Sequence, residues 1–436
     1  MKEQSPFCDI SFAEKIKLFS YDYLKCCNYI GGFDASRYVF TEKLYSELVI
    51  RSQLLEDFLD FHGAKNNKNW YFYRELTAAV RHLSLGSYAQ KRILTRFAFY
   101  GLGNSNEFKE KGYAALDFFT QTLMELAPVI LKEARRLNIP IPEETYDPAD
   151  FPGISTSEML NYDIDDDQRD LQKKYIVKIA SEFLSIVDNF GQFNFYEPYK
   201  KKEIFNLVPA KINEVETRRF EMLVHNLQSS FDTYVIHGGY HFGDRQLKQL
   251  RGYFSAVFHL LQMTGRLLHY YERHLHEAGY KDSYRKVQSR LSKLIDREKL
   301  LDFTINYGFF YACHFLTSGK ELALHILNEN IERTSITVSI PVKLGFHSRP
   351  SLLVAKIVQH YGGQVNLVVR NDRFDAGSVL DIQWAGGKIQ KEKIKEVVFE
   401  GDVRALRDIE ILAGVNYGED SMGKGISLPD ELKYLR

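Results

Sequence analysis

Residues 334–350 read TSITVSIPVKLGFHSRP, and this stretch joins two different hydrophobic periodicities. Apolar and polar residues alternate over Ile336–Ile340, which is typical of a half-buried strand. A turn-like segment follows at Lys343–Gly345, and then Ser348–Tyr361 carries apolar residues at the spacing of an amphipathic helix. The sequence therefore predicts a strand that leads into a helix, with His347 at the junction.

Further short elements follow up to about residue 415. Gly362 and Gly363 are expected to end the first helix, because glycine readily adopts the left-handed conformation found after helices. The elements predicted next are a strand at Gln364–Arg370, a short strand at Arg373–Ala376, a short helix from Ser378, a loop at Gly387–Lys395, a strand at Glu396–Glu400 and a helix from about Asp402 to Ala413. The order β-α-β-β-α-β-α predicts a small α+β domain over residues 333–415, with an antiparallel sheet, helices on one face and a C-terminal tail at 416–436.

The preceding residues lack this alternation and are expected to be helical. Apolar residues recur at three- and four-residue spacing in Ser36–Phe61, Asn104–Asn138 and Arg245–Ala278. Pro128 is expected to kink or restart the second of these helices, because proline lacks a backbone donor. The segment Ser318–Glu321 has the form of a capping box that begins the last helix before the α+β domain.

Prolines divide this helical part. Four of the eleven prolines lie between Ile139 and Ser157, where neither a helix nor a central strand can run through. We therefore predict a helical region at 1–138, a proline-rich linker or long loop at 139–157, and a helical region at 158–332. The sequence leaves open whether the two helical regions form one domain or two. The chain is thus expected to be multidomain, with a large all-α N-terminal region followed by the small α+β domain.

The overall composition limits the classes of function. The chain has 57 basic and 57 acidic residues, and this balance gives no support for nucleic acid as a partner. The most apolar stretch, Phe303–Gly319, is short for a membrane span of about 20 residues, so we interpret it as a buried helix and expect no membrane association. The N-terminus lacks the apolar core of a signal peptide, which predicts a cytoplasmic protein.

The junction at Gly345–Pro350 contains the residue types that a phosphohistidine needs. A histidine that attacks phosphorus must be neutral with one ring nitrogen free, and the positive end of a helix disfavours the charged form. The unpaired backbone N–H groups of that end, including the one of Ser348, suit phosphoryl oxygens. Arg349 can bind the same oxygens through two N–H bonds, and Pro350 suits the first helical turn, where its missing donor costs nothing.

This run resembles the active-site signature of the HPr family, the histidine phosphocarrier proteins of the bacterial phosphotransferase system. In that family the run is glycine, an apolar residue, histidine, a small residue, arginine and proline, and residues 345–350 read GFHSRP. A second family mark is a regulatory serine at the start of a short helix, and Ser378 falls thirty-one residues after His347. The apolar pair Val379–Leu380 follows it, as in the family's partner-docking patch. The resemblance covers about residues 334–415.

The resemblance implies a function and a set of partners. His347 would be phosphorylated on Nδ1, and Arg349 and the backbone N–H of Ser348 would stabilise the phosphate. The donor would be an enzyme-I-like protein charged by phosphoenolpyruvate, a downstream protein would be the acceptor, and an HPr-kinase-like enzyme would act on Ser378. The residues implied in partner docking are Phe346, Val379 and Leu380. No cofactor is implied, and a regulatory output through the helical region is our inference from the fusion.

Two other functions stay open. In the first alternative, the C-terminal domain is a docking module of an interaction protein that transfers no phosphoryl group. In the second alternative, the helical part is an enzyme that this domain regulates. Only scattered histidines support the enzyme: His237 and His241, and the set His269, Glu272, His274 and His276. A turn is the favoured explanation of the first pair, and a favourable helix C-terminus is that of the second set. The four cysteines lack zinc spacing, and the acidic group Asp163–Asp167 is typical of a helix N-terminus. We therefore expect no metal site.

Overall fold

The fold is described from a computed structural model of the chain. It describes residues 10–34, 39–103, 106–154, 160, 173–236, 245–276 and 281–435. The acidic group Asp163–Asp167, the pair His237 and His241, and the end of the proline-rich segment therefore lie outside the described residues.

Most of the described chain is helical, as the sequence predicts. The α-helices are α1 (Phe12–Gly31), α2 (Glu42–Phe61), α3 (Tyr71–Arg96), α4 (Asn106–Arg136), α5 (Lys173–Gly191), α6 (Lys201–Leu207), α7 (Glu214–Phe231), α8 (Arg245–Tyr270), α9 (Asp282–Leu294), α10 (Arg297–Asp302), α11 (Phe310–Asn330), α12 (Ser348–Tyr361), α13 (Val379–Glu392) and α14 (Val403–Gly414). Wider π-helical turns occur at Asp232–Ile236, Tyr271–His276 and Phe303–Phe309. Short 3-10 turns occur at Ala64–Asn66, Phe97–Tyr100, Pro148–Asp150, Asn416–Gly418 and Asp430–Leu435.

Contacts between Cα atoms divide the chain into two compact units. The first comprises Met1–Asp165, Phe190–Gln228 and Arg251–Thr317, as far as these residues are described. The second comprises the described parts of Asp166–Asn189, Ser229–Leu250 and Ser318–Arg436. Segments of both predicted helical regions thus contribute to the first unit, and the α+β part belongs to the second.

The first unit is organised around α3, which is buried along most of its length. Helices α2 and α4 pack on α3, and large aromatic side chains such as Phe108, Tyr307 and Phe315 stack between the elements. The aromatic side chains that fill the space between these elements agree with the high aromatic content of the sequence. By length and composition alone α4 is able to cross a bilayer, but buried core helices share these properties, and 44% of its most apolar window is buried.

Two details of the helical part differ from the sequence-based expectation. Helix α4 does not restart at Pro128 but continues through it, and the proline lies on the exposed face beside the buried Ala127 and Ile130. Helix α11 likewise runs through Ser318–Glu321, so this segment is not a helix start. Cys26 and Cys27 of α1 are buried and free.

The second unit contains a four-stranded sheet. The strands are β1 (Arg333–Ser339), β2 (Val365–Val369), β3 (Asp372–Asp375) and β4 (Glu396–Asp402), and their spatial order is β1-β4-β2-β3 with every neighbouring pair antiparallel. Strands and helices alternate along residues 333–414 as β-α-β-β-α-β-α. The prediction of a small antiparallel sheet after a helical region is therefore confirmed.

One core joins the sheet to α12, α13 and α14. Every second residue of β2 is buried, and Leu367 lies opposite Phe399 of β4 in the sheet register. These apolar residues face buried side chains of the three helices, which is the layer packing that the alternation predicts. Helix α12 ends at Gly362 with φ of 67°, a left-handed conformation that glycine adopts without a steric penalty.

Residues after α14 are part of this core. Tyr417, Leu432 and Leu435 are buried in it, and the hydroxyl of Tyr417 donates to the carbonyl of Ser339 over 2.8 Å. The carboxylate of Asp408 on α14 accepts hydrogen bonds from Tyr361 and Tyr434. The predicted C-terminal tail is thus folded back over the domain.

Two local predictions in this unit are wrong. The loop expected at Gly387–Lys395 is mostly helix, because α13 continues to Glu392 and buries Ile389 on the same face as Ile382. Phe346 was expected to dock partners, but only 3% of it is exposed. The centroid of its ring lies 6.2 Å from that of Phe399 and 5.2 Å from that of Tyr417. Phe346 is therefore part of the core of this unit.

Replacing Phe346 with alanine tests this correction. Removing a buried aromatic ring leaves a cavity, so the variant should lose about 3–5 kcal/mol of unfolding free energy. The matched control is Leu380→Ala, because Leu380 is 68% exposed and its removal should change stability by only about 0.5 kcal/mol. Chemical denaturation together with hydrogen exchange of β2 and β4 measures both. Equal stability of the two variants would contradict the core position of Phe346.

Candidate functional site

His347 stands at the N-terminus of α12 and has an extended backbone conformation. Its N–H donates to the carbonyl of Gly345 over 2.8 Å, and its own carbonyl accepts from the N–H of Ser351 over 3.2 Å. The second of these is the first hydrogen bond of the helix. His347 is therefore the capping residue, as expected for a side chain placed at the positive end of a helix.

The first turn of α12 leaves backbone donors free. The N–H groups of Ser348 and Arg349 make no hydrogen bond with any described residue, and both residues are exposed. Pro350 has no N–H, so its position adds no further unpaired donor. Ser351 is the first residue whose N–H is satisfied within the helix. Two adjacent amides beside His347 are thus available to an anion.

The imidazole of His347 contacts a carboxylate from the far end of the domain. Its Nε2 lies 2.9 Å from Oε1 and 3.1 Å from Oε2 of Glu419. The side chain of Glu419 is 2% exposed, whereas that of His347 is 28% exposed. A buried carboxylate needs a donor, and the Nε2–H group of His347 is the one that reaches it.

Glu419 is held in place by a short ordered loop. The 3-10 turn Asn416–Gly418 precedes it, and Glu419 pairs with Gly425 in an isolated antiparallel bridge. The carboxylate of Asp420 accepts from the N–H groups of Met422 and Lys424, which closes the turn between them. The loop is therefore a fixed part of the domain surface beside α12.

This loop also approaches Arg349. The backbone of Gly425 passes close to the guanidinium of Arg349. Among the described residues, Arg349 makes no hydrogen bond or ion pair through its side chain. His347, Arg349, Glu419 and Gly425 line one surface cavity of about 640 Å³. A free guanidinium and two free amides thus face the same space as the histidine.

The contact with Glu419 fixes the role of each ring nitrogen. A carboxylate accepts only, so the nitrogen facing it carries the proton in the neutral ring. Nδ1 then has the lone pair, and no described residue bonds to it. Sequence reasoning missed Glu419, because it lies seventy-two residues after His347 in a tail without a recognisable motif.

The other predicted positions lie on α13. The hydroxyl of Ser378 accepts from the N–H of Asp381 over 3.2 Å, so Ser378 is the capping residue of this helix. Val379 is half-buried against the core, and Leu380 is exposed. Trp384, one turn further, is 74% exposed and was not identified from the sequence. Leu380 and Trp384 share a helical face at four-residue spacing.

Comparisons with known proteins add no relative. No protein-family model, no curated protein and no solved structure matches the chain.

Replacing Glu419 with alanine tests the imidazole–carboxylate contact. In the unchanged protein, the Nε2 proton of His347 should give a downfield proton resonance that exchanges slowly, because it is bonded to a buried carboxylate. This resonance should disappear in Glu419→Ala, where the proton meets water. The measurement is a proton–nitrogen NMR spectrum of protein with labelled histidine.

A matched control uses the exposed pair of His325 and Glu329, whose facing atoms are 3.2 Å apart. The variant Glu329→Ala should leave the His347 resonance in place. A resonance that survives in Glu419→Ala would contradict the assignment of Nε2 as the donor.

Proposed function

We propose that the chain is a phosphoryl carrier of the HPr type that accepts and passes on a phosphoryl group at Nδ1 of His347. The donor is an enzyme-I-like protein charged by phosphoenolpyruvate, and the acceptor is a further protein. Because phosphoenolpyruvate is a cytoplasmic metabolite of such systems, the proposal includes a cytoplasmic location. The observation that carries it is the contact between Glu419 and Nε2, which leaves Nδ1 as the nucleophile.

The reaction balances with the groups at this position. The lone pair of Nδ1 attacks phosphorus, a phosphorus–nitrogen bond forms, and the bond between phosphorus and the donor breaks. The ring then carries more positive charge, which the carboxylate of Glu419 stabilises while Nε2 keeps its proton. The return transfer to the acceptor reverses these changes, so the chain undergoes no net change.

The oxygens of the phosphoryl group require separate partners. The amides of Ser348 and Arg349 suit them because they lie at a helix N-terminus and have no other partner. The guanidinium of Arg349 supplies two parallel donors and a full positive charge. These groups bind the negatively charged product.

A phosphorylation assay tests the proposal. Full-length protein incubated with enzyme I and labelled phosphoenolpyruvate should acquire one acid-labile phosphoryl group, and His347→Ala should acquire none. The variant Arg349→Gln should be phosphorylated about ten- to a hundredfold more slowly, because a hydrogen bond to a charged group contributes about 1.5–3 kcal/mol.

The matched control is His325→Ala, since His325 is a half-exposed histidine of the same unit that lies outside this cavity. It should be labelled like the unchanged protein. Label that persists in His347→Ala, or no label in the unchanged protein with an active donor, would overturn the proposal.

A second candidate function is docking without transfer. The exposed pair Leu380 and Trp384 favours it, because large apolar side chains exposed together are typical of protein interfaces. In a carrier the same face would receive the donor, and in a docking module it would be the whole function. Ser378, beside this face, would modulate either role when phosphorylated.

The variant Trp384→Ala separates the two functions when compared with His347→Ala. For a carrier, Trp384→Ala should raise the concentration of enzyme I needed for half-maximal rate, and His347→Ala should abolish activity in cells. For a docking module, Trp384→Ala should abolish activity in cells and His347→Ala should retain it.

A further inference from the structure

Three histidines of the first unit converge although they come from distant parts of the sequence. His82 lies on α3, His269 lies in the last turn of α8, and His274 lies in the π-helical turn that follows. One ring nitrogen of each can be chosen so that all three lie within 4.8 Å of one another. The π-helical turn places His274 on the same side as His269, which lies five residues earlier.

His82 has no hydrogen-bonding role among the described residues. It is 3% exposed, and both Nδ1 and Nε2 are buried without a partner. A buried polar group left unpaired costs about 1–3 kcal/mol, so a phenylalanine or leucine at this position would serve packing better. Its ring stacks on that of His269 with centroids 4.3 Å apart. The packing alone therefore gives no reason for a histidine here.

The other two histidines each face a carboxylate through Nδ1. Nδ1 of His274 lies 2.7 Å from Oε2 of Glu75, and Nδ1 of His269 lies 2.8 Å from Oε1 of Glu214. The contact of His274 is a hydrogen bond, and it holds the proton on Nδ1 of the neutral ring and leaves Nε2 with the lone pair. The contact of His269 is a close approach without hydrogen-bond geometry. A carboxylate at Nδ1 is the arrangement found behind the histidine ligands of metal ions in proteins.

The positive charge of an arginine beside the cluster is compensated. Nη1 of Arg74 lies 3.4 Å from Nδ1 of His274. The nearby Arg74 is paired with three carboxylates: Glu56, Asp60 and Glu75. Its positive charge is therefore already compensated.

We propose that His82, His269 and His274 bind a divalent transition metal ion of the zinc class. Imidazole nitrogens are ligands that Zn²⁺ prefers, and Zn–N bonds of about 2.0–2.1 Å place the nitrogens about 3.4 Å apart. Binding the ion therefore requires the rings to rotate from their present separation of up to 4.8 Å between ligand atoms. The carboxylates of Glu75 and Glu214 orient the ligands from behind and offset the charge of the ion.

Three imidazole ligands leave a fourth position. Structural zinc sites are closed by four protein ligands, whereas three protein ligands and a solvent molecule are typical of catalytic sites. His269 is 24% exposed at its side chain, which provides access for the ion and for a solvent ligand. Glu272, one of the four residues noted from the sequence, instead accepts the N–H of Glu214 and thereby positions that carboxylate. His276 contacts Tyr271 and takes no part.

Metal binding to the full-length protein tests this proposal. Protein without a polyhistidine tag is stripped with a chelator and titrated with Zn²⁺ against a competing indicator, and it should bind one ion per chain. Co²⁺ in place of Zn²⁺ should give visible absorption bands of a site with nitrogen ligands. His82→Phe should abolish both signals while its melting temperature stays the same or rises, since no hydrogen bond is lost.

A second variant keeps the test valid if His82→Phe does not fold. Glu214→Gln retains the shape of the side chain but not its charge, and it should weaken Zn²⁺ binding about ten- to a hundredfold. Circular dichroism checks that its helical content is unchanged. The proposal is overturned if the unchanged protein binds no Zn²⁺, or if both variants bind it as tightly as the unchanged protein.

Two matched controls separate this cluster from other histidines. His259 is buried on α8 with Nδ1 3.0 Å from Oε1 of Gln262, and His259→Gln should bind Zn²⁺ normally. His347→Ala should also bind normally, because it lies in the other unit. Loss of Zn²⁺ in His347→Ala with retention in His82→Phe would overturn the proposal and would leave the phosphoryl-carrier proposal to its own assay.

Discussion

A carboxylate that is taken out of water needs a donor, and this constraint organises the C-terminal domain around Glu419. Its burial is complete, and the donor that reaches it is Nε2 of His347. The contact joins the first helix of the domain to a segment seventy-two residues later. The same loop contains the turn closed by Asp420 and brings Gly425 close to Arg349.

The same contact separates the two nitrogens of one small ring. One nitrogen is committed to the carboxylate, and the other faces the free amides at the positive end of α12. Without Glu419 either nitrogen of the neutral ring would be free to carry the proton. The carboxylate therefore selects the tautomer of the ring, and the start of the helix supplies the amides beside it.

The first unit contains the same element twice. Glu75 is hydrogen-bonded to Nδ1 of His274, and Glu214 lies 2.8 Å from Nδ1 of His269. In the second unit the carboxylate engages Nε2 and Nδ1 is free. The difference decides which chemistry suits each place: nitrogens that converge on one point suit a cation, and a single nitrogen beside backbone donors suits a phosphoryl group.

The sequence by itself determined the order of strands and helices over residues 333–414 and the position of His347 at a helix start, because hydrophobic periodicity and capping are local properties. The sequence-based prediction was wrong where burial overrode local propensity. Helix α4 continues past Pro128, α13 continues past two glycines, and the side chain of Phe346 is buried in the core. Only the tertiary structure decided which distant groups meet, namely Glu419 with His347 and His82 with His269 and His274. These contacts depend on how the chain folds back on itself, which no local pattern encodes.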